Sequence, residues 1–284
     1  MNIKMKQLIF PFFVVLGFLS CKKEENKVIY EGGTAPVLST SNTGTVVLIK
    51  DKRTENALTL SWTNPNYMFN TGISSQNVNY VLQIDTAGKN FVSSKLQEMS
   101  IPSDLGVKLT AQQLNTFLSK MEFKSGVDQS IDIRVKSTMA NKSAALTSNT
   151  LTVKVNPYLD FAVEPPGTEA NNYNDGNLWL LGDAVASGFS NPLPSPYDVS
   201  QKFTRVDIMH YEANITFVGG GGYKLIQTQG VWGTQYHALD GSVGAALSGS
   251  FEKKDSNPTF PGPSAGTYKV QINFQTGKYT LTKL

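Results

Sequence analysis

The sequence contains a single cysteine, Cys21, among its 284 residues. A disulfide framework needs a second cysteine, so none can form. Histidines are also few, and neither His210 nor His237 has a cysteine partner at metal-ligand spacing. Without disulfides or a predicted metal site, the stability of the chain must come from hydrophobic burial.

Signals for cofactors and catalysis are equally scarce. The glycine run VGGGGYK (Val218–Lys224) lacks the Gly-Lys-Ser/Thr ending of a phosphate-binding loop and opens no helix, which predicts a flexible hairpin or bulge. A glycosidase needs two convergent carboxylates, and the sequence brings no two acids of the second half together. The acids available for such a pair are Asp183, Asp207, Glu212 and Asp240. We predict a protein that is not an enzyme and needs no cofactor.

The first residues have the layout of an export signal. Lys4 and Lys6 precede an apolar run, Leu8–Leu19, which ends just before Cys21. The run is too short for an ordinary transmembrane helix, and its basic start and small residue before the cysteine are typical of a cleaved signal. We predict a signal peptide over residues 1–20, followed by a flexible polar tether over residues 21–35.

Little net charge remains after cleavage. Residues 1–20 contain two lysines and no acidic residue, so their removal lowers the formal net charge from +3 to +1. A nearly neutral chain has no electrostatic footprint for nucleic acid, which excludes that class of partner.

Strand patterns dominate the next part of the chain, with apolar β-branched residues alternating with polar ones. These runs are TVVLIK (Thr45–Lys50), ALTLSW (Ala57–Trp62), VNYVLQID (Val78–Asp85), SIDIRVKS (Ser130–Ser137) and NTLTVKV (Asn149–Val155). One helix interrupts them, because Thr110 and Gln113 have capping-box spacing. Its apolar face consists of Leu114, Phe117, Leu118 and Met121, which we expect to pack against the sheet.

A stretch rich in Pro, Gly and Asn over residues 157–176 predicts a linker between a first domain at 36–156 and a second at 177–284. The second domain again shows strand patterns and no convincing helix. These lie at Leu178–Ala184, Glu212–Val218, Tyr223–Gln229 and Gly266–Leu284. We predict two tandem β-sandwich domains in an all-β fold.

Trp232 is the most informative aromatic residue. Gly230 and Gly233 flank it and favour a loop, where a bulky ring has little to pack against, whereas Trp62 and Trp179 lie in strand patterns and are expected in the core. Exposed aromatic rings indicate a binding surface, and pyranose rings stack on such faces. A structural lid is the alternative role for Trp232.

Several segments resemble known families. FLSC (Phe18–Cys21) resembles a bacterial lipobox, and KKEE (Lys22–Glu25) is similar to the surface-export tag of Bacteroidota lipoproteins. Other segments resemble the SusE/SusF family in sequence and in order along the chain. They are Ala35–Tyr67, YVLQIDTAGKNF (Tyr80–Phe91), LTAQQLN (Leu109–Asn115), LWLLGDAVASGFSNP (Leu178–Pro192), YKLIQTQGVWG (Tyr223–Gly233) and AGTYKVQINFQTGKYTL (Ala265–Leu281).

The resemblance implies a lipid on Cys21 and a protein exposed on the outer membrane that binds polysaccharide or oligosaccharide. It implies an immunoglobulin- or fibronectin-III-like first domain with one short helix, and a second domain like a starch-binding, carbohydrate-binding module. Such proteins work beside a TonB-dependent transporter and its SusD-like partner. Phe189 stands where the family often has Trp, and only one module follows the first domain, so starch specificity does not follow.

From these observations we predict a non-catalytic glycan-binding lipoprotein. Trp232 is the expected stacking platform and Tyr236 the second aromatic. The expected hydroxyl partners are Lys224, Gln229, His237 and Asp240. Two alternatives remain at this stage: a structural accessory lipoprotein of the transporter complex that binds no glycan, and a surface endo-glycosidase.

Overall fold

The structure, a computed structural model, describes residues 27–167, 176–233, 235–255 and 258–284. The predicted signal peptide, Cys21 and residues 168–175 of the predicted linker lie outside the described residues. No helix in the described part of the chain is both long and apolar enough to cross a membrane.

The first half of the chain forms twelve strands and one α-helix. The elements are β1 (Tyr30–Gly32), β2 (Leu38–Thr40), β3 (Val46–Val47), β4 (Asn56–Trp62), β5 (Met68–Phe69), β6 (Gly72–Ile73), β7 (Val78–Thr86), β8 (Gln97–Pro102), β9 (Gly106–Thr110), α1 (Ala111–Lys120), β10 (Gln129–Met139), β11 (Leu146–Thr147) and β12 (Leu151–Asn156). The strand predicted over Thr45–Lys50 is shorter than expected, since it pairs only at β3 before a 3₁₀ turn at Lys50–Lys52.

Two sheets of this half face each other across one core. One has the strand order β3-β12-β10-β7-β8 and the other β2-β4-β9, while β1, β5 and β6 form a separate small sheet. The Trp62 ring of β4 lies 5.6 Å from the Tyr80 ring of β7, which joins the two layers. Every second residue of β10 faces this core, since Ile131, Ile133 and Val135 are all fully buried.

Helix α1 begins as its capping residues predict. The Thr110 side chain accepts from the backbone N–H of Gln113, and the Gln113 side chain accepts from the backbone N–H of Thr110. Leu114, Leu118 and Met121 are buried against the sheets. The capping box and the packed face are both confirmed.

The described residues of the second half add nine strands, one α-helical turn and a 3₁₀ turn at Val243–Ala245, and the sequence did not predict either turn. The elements are β13 (Trp179–Leu181), α2 (Tyr197–Ser200), β14 (Thr204–Arg205), β15 (His210–Phe217), β16 (Gly222–Ile226), β17 (Gln235–Ala238), β18 (Ser248–Lys253), β19 (Phe260–Pro261), β20 (Gly266–Asn273) and β21 (Lys278–Lys283). They form one sheet of order β13-β16-β17-β18-β21-β20-β15-β14, with β19 on β16.

This sheet curls so that its two ends enclose an aromatic core. Tyr236 of β17 lies 5.1 Å from Phe274, which follows β20, and Tyr223 of β16 lies 5.4 Å from Phe217 of β15. Strand β18 connects the two parts of the curled sheet, because it pairs with β17 at one end and with β21 at the other. The predicted all-β fold of two sandwich-like halves is confirmed.

The glycine run does not form the predicted hairpin. Strands β15 and β16, on either side of it, pair with different neighbours, so the run is a crossover between the two ends of the curled sheet. Gly219, Gly220 and Gly221 all have positive φ, a conformation that a side chain rarely tolerates. The run therefore directs β16 toward β13 and β17.

Candidate functional site

Two loops bring two aromatic rings together at the surface of the second half. Trp232 lies in the loop between β16 and β17, and Phe189 lies in the loop that follows β13. Their side chains are 38% and 42% exposed, respectively. Both line a surface depression of about 450 Å³, which we call the aromatic depression. Its lining residues are Phe189, Lys224, Trp232, Gln235, Asp255 and Thr259.

Hydrogen bonds join the two loops to each other. The backbone N–H of Gly230 donates to Asn191 Oδ1 at 2.6 Å, and the backbone N–H of Leu193 donates to Gln229 Oε1 at 2.8 Å. Each bond crosses from the Trp232 loop to the Phe189 loop. The two rings are therefore held in place before any ligand arrives, which lowers the entropic cost of binding.

The floor of the aromatic depression is polar. In β16, Tyr223 and Leu225 point into the core, so Lys224 points to the opposite face, where the loops cover all but 8% of it. Burial lowers the pKa of Lys224, and the nearby Asp255 carboxylate opposes this effect. The amine is a hydrogen-bond donor beside the rings.

Gln235 completes this floor. Its Nε2 donates to Asp255 Oδ1 at 2.6 Å, while its buried Oε1 has no hydrogen-bond partner among the described residues. A buried acceptor without a partner costs about 1–3 kcal/mol. Aromatic faces beside a few fixed donors and acceptors are what a sugar ring requires, since its CH groups stack and its hydroxyls hydrogen-bond.

The predicted site residues divide into four groups. Trp232 and Lys224 lie together in the aromatic depression. Gln229 lies beside it, where its side chain holds the Phe189 loop. Asp240 does not line the aromatic depression. Its carboxylate accepts from the backbone N–H of Ser242 at 2.9 Å, a bond that lowers the pKa of Asp240.

Tyr236 and His237 do not reach the surface. Tyr236 is 0% exposed in the aromatic core, where its hydroxyl donates to the Glu164 carbonyl at 2.8 Å, so no face of the ring is open to a sugar. His237 belongs to β17 and not to a loop; it is 2% exposed, with Nε2 3.6 Å from Glu252 Oε1. Neither side chain is open to a ligand at the surface.

Three lining residues were not anticipated. Gln235 precedes Tyr236 in β17, and strand alternation would have placed it on the face opposite the core once β17 was recognised as a strand. Asp255 and Thr259 come from the segment between β18 and β19, where no sequence signal marks a binding role. Phe189 was noted only as a departure from the Trp of related sequences.

The described residues offer little for catalysis. Gly262–Gly266 has the Gly-x-Ser-x-Gly spacing of a nucleophile elbow, but it precedes strand β20 rather than a helix. Ser264 Oγ lies 2.8 Å from the hydroxyl of Tyr268. Within the described ranges, no group of three or more His, Cys, Asp or Glu side chains is placed to hold a metal ion.

Two of the candidate acids of a glycosidase lie away from the aromatic depression. Asp207 and Glu212 line a cleft away from the aromatic rings. Although partial burial opposes the effect, hydrogen bonds from Met209 and His210 hold the pKa of Asp207 below its usual range. Glu212 forms an ion pair with Lys269 at 2.8 Å. A general acid needs a raised pKa, which the surroundings of Asp207 do not supply.

Comparison with known proteins supports the family resemblance. Residues 22–136 match the model of a family described as SusE outer membrane protein. Over these residues the chain is similar to SusE. The matched range covers most of the first half, and the aromatic depression lies outside it.

One solved structure with a similar fold is SusF from Bacteroides thetaiotaomicron. It is 13% identical, with a TM-score of 0.43, over 88% of this chain and 52% of SusF. The SusE-like chain thus spans about half the length of that protein. No curated protein matches the sequence.

Proposed function

We propose that the second half of this SusE-like chain binds polysaccharide or oligosaccharide without cleaving it, and that the ligand occupies the aromatic depression. The observation that carries the proposal is the pair of exposed rings, Trp232 and Phe189, above a polar floor that contains the Lys224 amine. Sugar CH faces stack on the rings, and sugar hydroxyls accept from Lys224.

The expected affinity of one site is modest. A sugar exchanges hydrogen bonds with water for hydrogen bonds with protein, and each exchange contributes about 1 kcal/mol net. Two rings and a few polar groups therefore favour micromolar to millimolar binding of a short oligosaccharide. Many anchored copies on one polymer raise the overall avidity well above this.

The cellular setting belongs to the same proposal. Acylation of Cys21 would anchor the chain to the outer membrane, where the family model's own description places SusE. The first half then acts as a spacer and docking surface that holds the glycan site near a TonB-dependent importer and its SusD-like partner. The starch binding of related modules is not transferred, because the residue at 189 is Phe.

The direct test compares variants of the soluble chain from residue 22 onward on a glycan array and in affinity gels with amylopectin, pullulan, dextran, galactomannan and xyloglucan. We expect Trp232→Ala and Phe189→Ala each to weaken retention by the glycan that wild type binds. A loss of about tenfold corresponds to about 1.4 kcal/mol.

Val231→Ala is the matched control, because Val231 is the neighbour of Trp232 in the same loop, has a similar exposure of 37% and does not line the depression. Both binding variants should melt at the wild-type temperature. Wild-type retention by Trp232→Ala would refute the platform.

Two further measurements address the alternatives. A reducing-sugar assay on the purified protein detects an endo-glycosidase, for which we expect no product. Absence of binding to every glycan, together with co-purification with a transporter, would favour a purely structural accessory protein.

A further inference from the structure

A second depression adjoins the aromatic depression. It has a volume of about 590 Å³ and shares two residues, Phe189 and Thr259, with its neighbour. Phe189 therefore lies between two surface hollows and contributes to the wall of both. We call the second hollow the glycine depression, because Gly220, Gly221, Gly222, Gly241 and Gly262 line it.

Close backbone packing shapes the glycine depression. A side chain at Gly222 would begin 2.3 Å from Thr259 Oγ1, and one at Gly262 would begin 2.1 Å from the Gly220 carbonyl. These two positions need glycine for the fold itself. Gly241 is different: a Cβ there would meet only the Thr259 carbonyl at 3.8 Å, an ordinary contact, and its φ is not positive. The fold does not require glycine at 241.

Polar groups are present along the glycine depression. The exposed Asp183 carboxylate accepts from the backbone N–H of Gly222 through Oδ1 at 2.6 Å, which fixes its orientation. Ser264 is also exposed at the edge. A carboxylate has several acceptor positions, so Asp183 retains capacity for a ligand hydroxyl after the bond to Gly222.

We propose that the glycine depression is a second sugar subsite, and that a glycan chain runs from Trp232 across Phe189 to Asp183. This proposal rests on the proposed function and deepens it. Because Phe189 contributes to both hollows, one continuous chain can contact the two without a break. The preferred ligand is a chain long enough to fill both hollows, and short sugars fill only the aromatic depression.

The test varies chain length against one substitution. Gly241→Phe places a ring in the glycine depression without a backbone clash. Gly244→Phe is the matched control, because its Cβ would meet only Ser242 Oγ at 3.7 Å and Gly244 lines neither depression. The probes are malto-, cello- and manno-oligosaccharides from disaccharide to hexasaccharide, with affinities measured by calorimetry on the soluble chain from residue 22 onward.

For wild type and Gly244→Phe we expect affinity to rise with length until the chain spans both hollows. Gly241→Phe should bind the shortest retained sugar as wild type does, and should lose most of the gain on lengthening. Asp183→Asn, which keeps the acceptor for Gly222, should reduce only the long-chain affinity. Identical length profiles for wild type and Gly241→Phe would overturn the second subsite while leaving the proposed function standing. Failure of wild type to bind any probe or polysaccharide would overturn both.

Discussion

At the scale of single residues, two buried tyrosines differ in whether the hydroxyl has a partner. Tyr80 OH, in the core of the first half, is buried and has no hydrogen-bond partner among the residues that the structure describes. Tyr279 OH, in the core of the second half, donates to the Ala245 carbonyl at 2.6 Å. An unsatisfied buried hydroxyl costs about 1–3 kcal/mol, whereas a satisfied one contributes about 1 kcal/mol.

The same substitution should therefore have opposite effects at these two positions. Tyr80→Phe is expected to raise the free energy of unfolding by about 1 kcal/mol at neutral pH, and Tyr279→Phe to lower it by about 1 kcal/mol. Urea titrations of wild type and both variants measure these changes in the free energy of unfolding. Each variant is the control for the other, since the two tyrosines lie in different halves. Equal destabilisation by both changes would show that the partner of the hydroxyl is irrelevant.

At alkaline pH, the difference in the free energy of unfolding between Tyr80→Phe and wild type should increase. Burial raises the pKa of Tyr80 from 10.0 to about 12, with a smaller contribution from Tyr67. Because the folded-state pKa is the higher one, the associated stability is fully present below pH 10 and is lost as pH rises toward 12. Tyr80→Phe removes this titration, so its advantage over wild type should grow across that window.

At the scale of elements, the site depends on two loops that hold each other. Gln229 belongs to the Trp232 loop, and its Oε1 accepts from the backbone N–H of Leu193 in the Phe189 loop. Under the proposed function, Gln229 is a positioning residue, because it acts on the ligand only through the position of Phe189.

Loss of this acceptor should weaken glycan binding by about three- to tenfold, the effect of one net hydrogen bond. Gln229→Ala is expected to show this loss by calorimetry with the best-bound oligosaccharide, and Gln229→Glu, which keeps an acceptor oxygen, should recover most of it. Gln271→Ala, at an exposed position on β20, is the control. If Gln229→Glu bound as poorly as Gln229→Ala, the loop bond would not be the cause.

At the scale of the whole molecule, the two halves meet at the end of α1. Gln275 Nε2 donates to the Phe123 carbonyl at 2.8 Å, and Asn273 Nδ2 donates to Glu122 Oε1 at 3.0 Å. The intervening chain contacts both cores, with Tyr158 packed on the first and Phe161 on the second. These contacts join the described parts of the two halves directly.

Cys21 should determine the cellular location of the protein. We expect Cys21→Ser to abolish fatty-acid labelling and to release the protein from the membrane fraction of a host that processes lipoproteins, because several acyl chains supply the stable anchor. Ser20→Ala, which keeps a small residue before the cysteine, should remain labelled. Membrane retention and labelling of Cys21→Ser would contradict the lipid anchor, and metabolic labelling followed by fractionation measures both.

Much of the fold follows from local patterns in the sequence. The alternation in SIDIRVKS predicts β10, and the Thr110–Gln113 pair predicts the start of α1, because both features depend only on near neighbours. The exposed position of Trp232 was also predictable, since flanking glycines disfavour a packed strand. The SusE resemblance of residues 22–136 is likewise carried by the sequence alone.

The composition of the site was decided by the tertiary structure. Alternation shows that Gln235 and Tyr236 face opposite ways, but only the pairing of β17 with β16 and β18 puts Tyr236 in the aromatic core and Gln235 beneath the aromatic depression. Phe189 and Trp232 are far apart in the chain and meet because the curled sheet brings their loops together. Local sequence determines secondary structure through short-range sterics and hydrogen bonds, whereas a binding surface depends on which distant segments pack side by side.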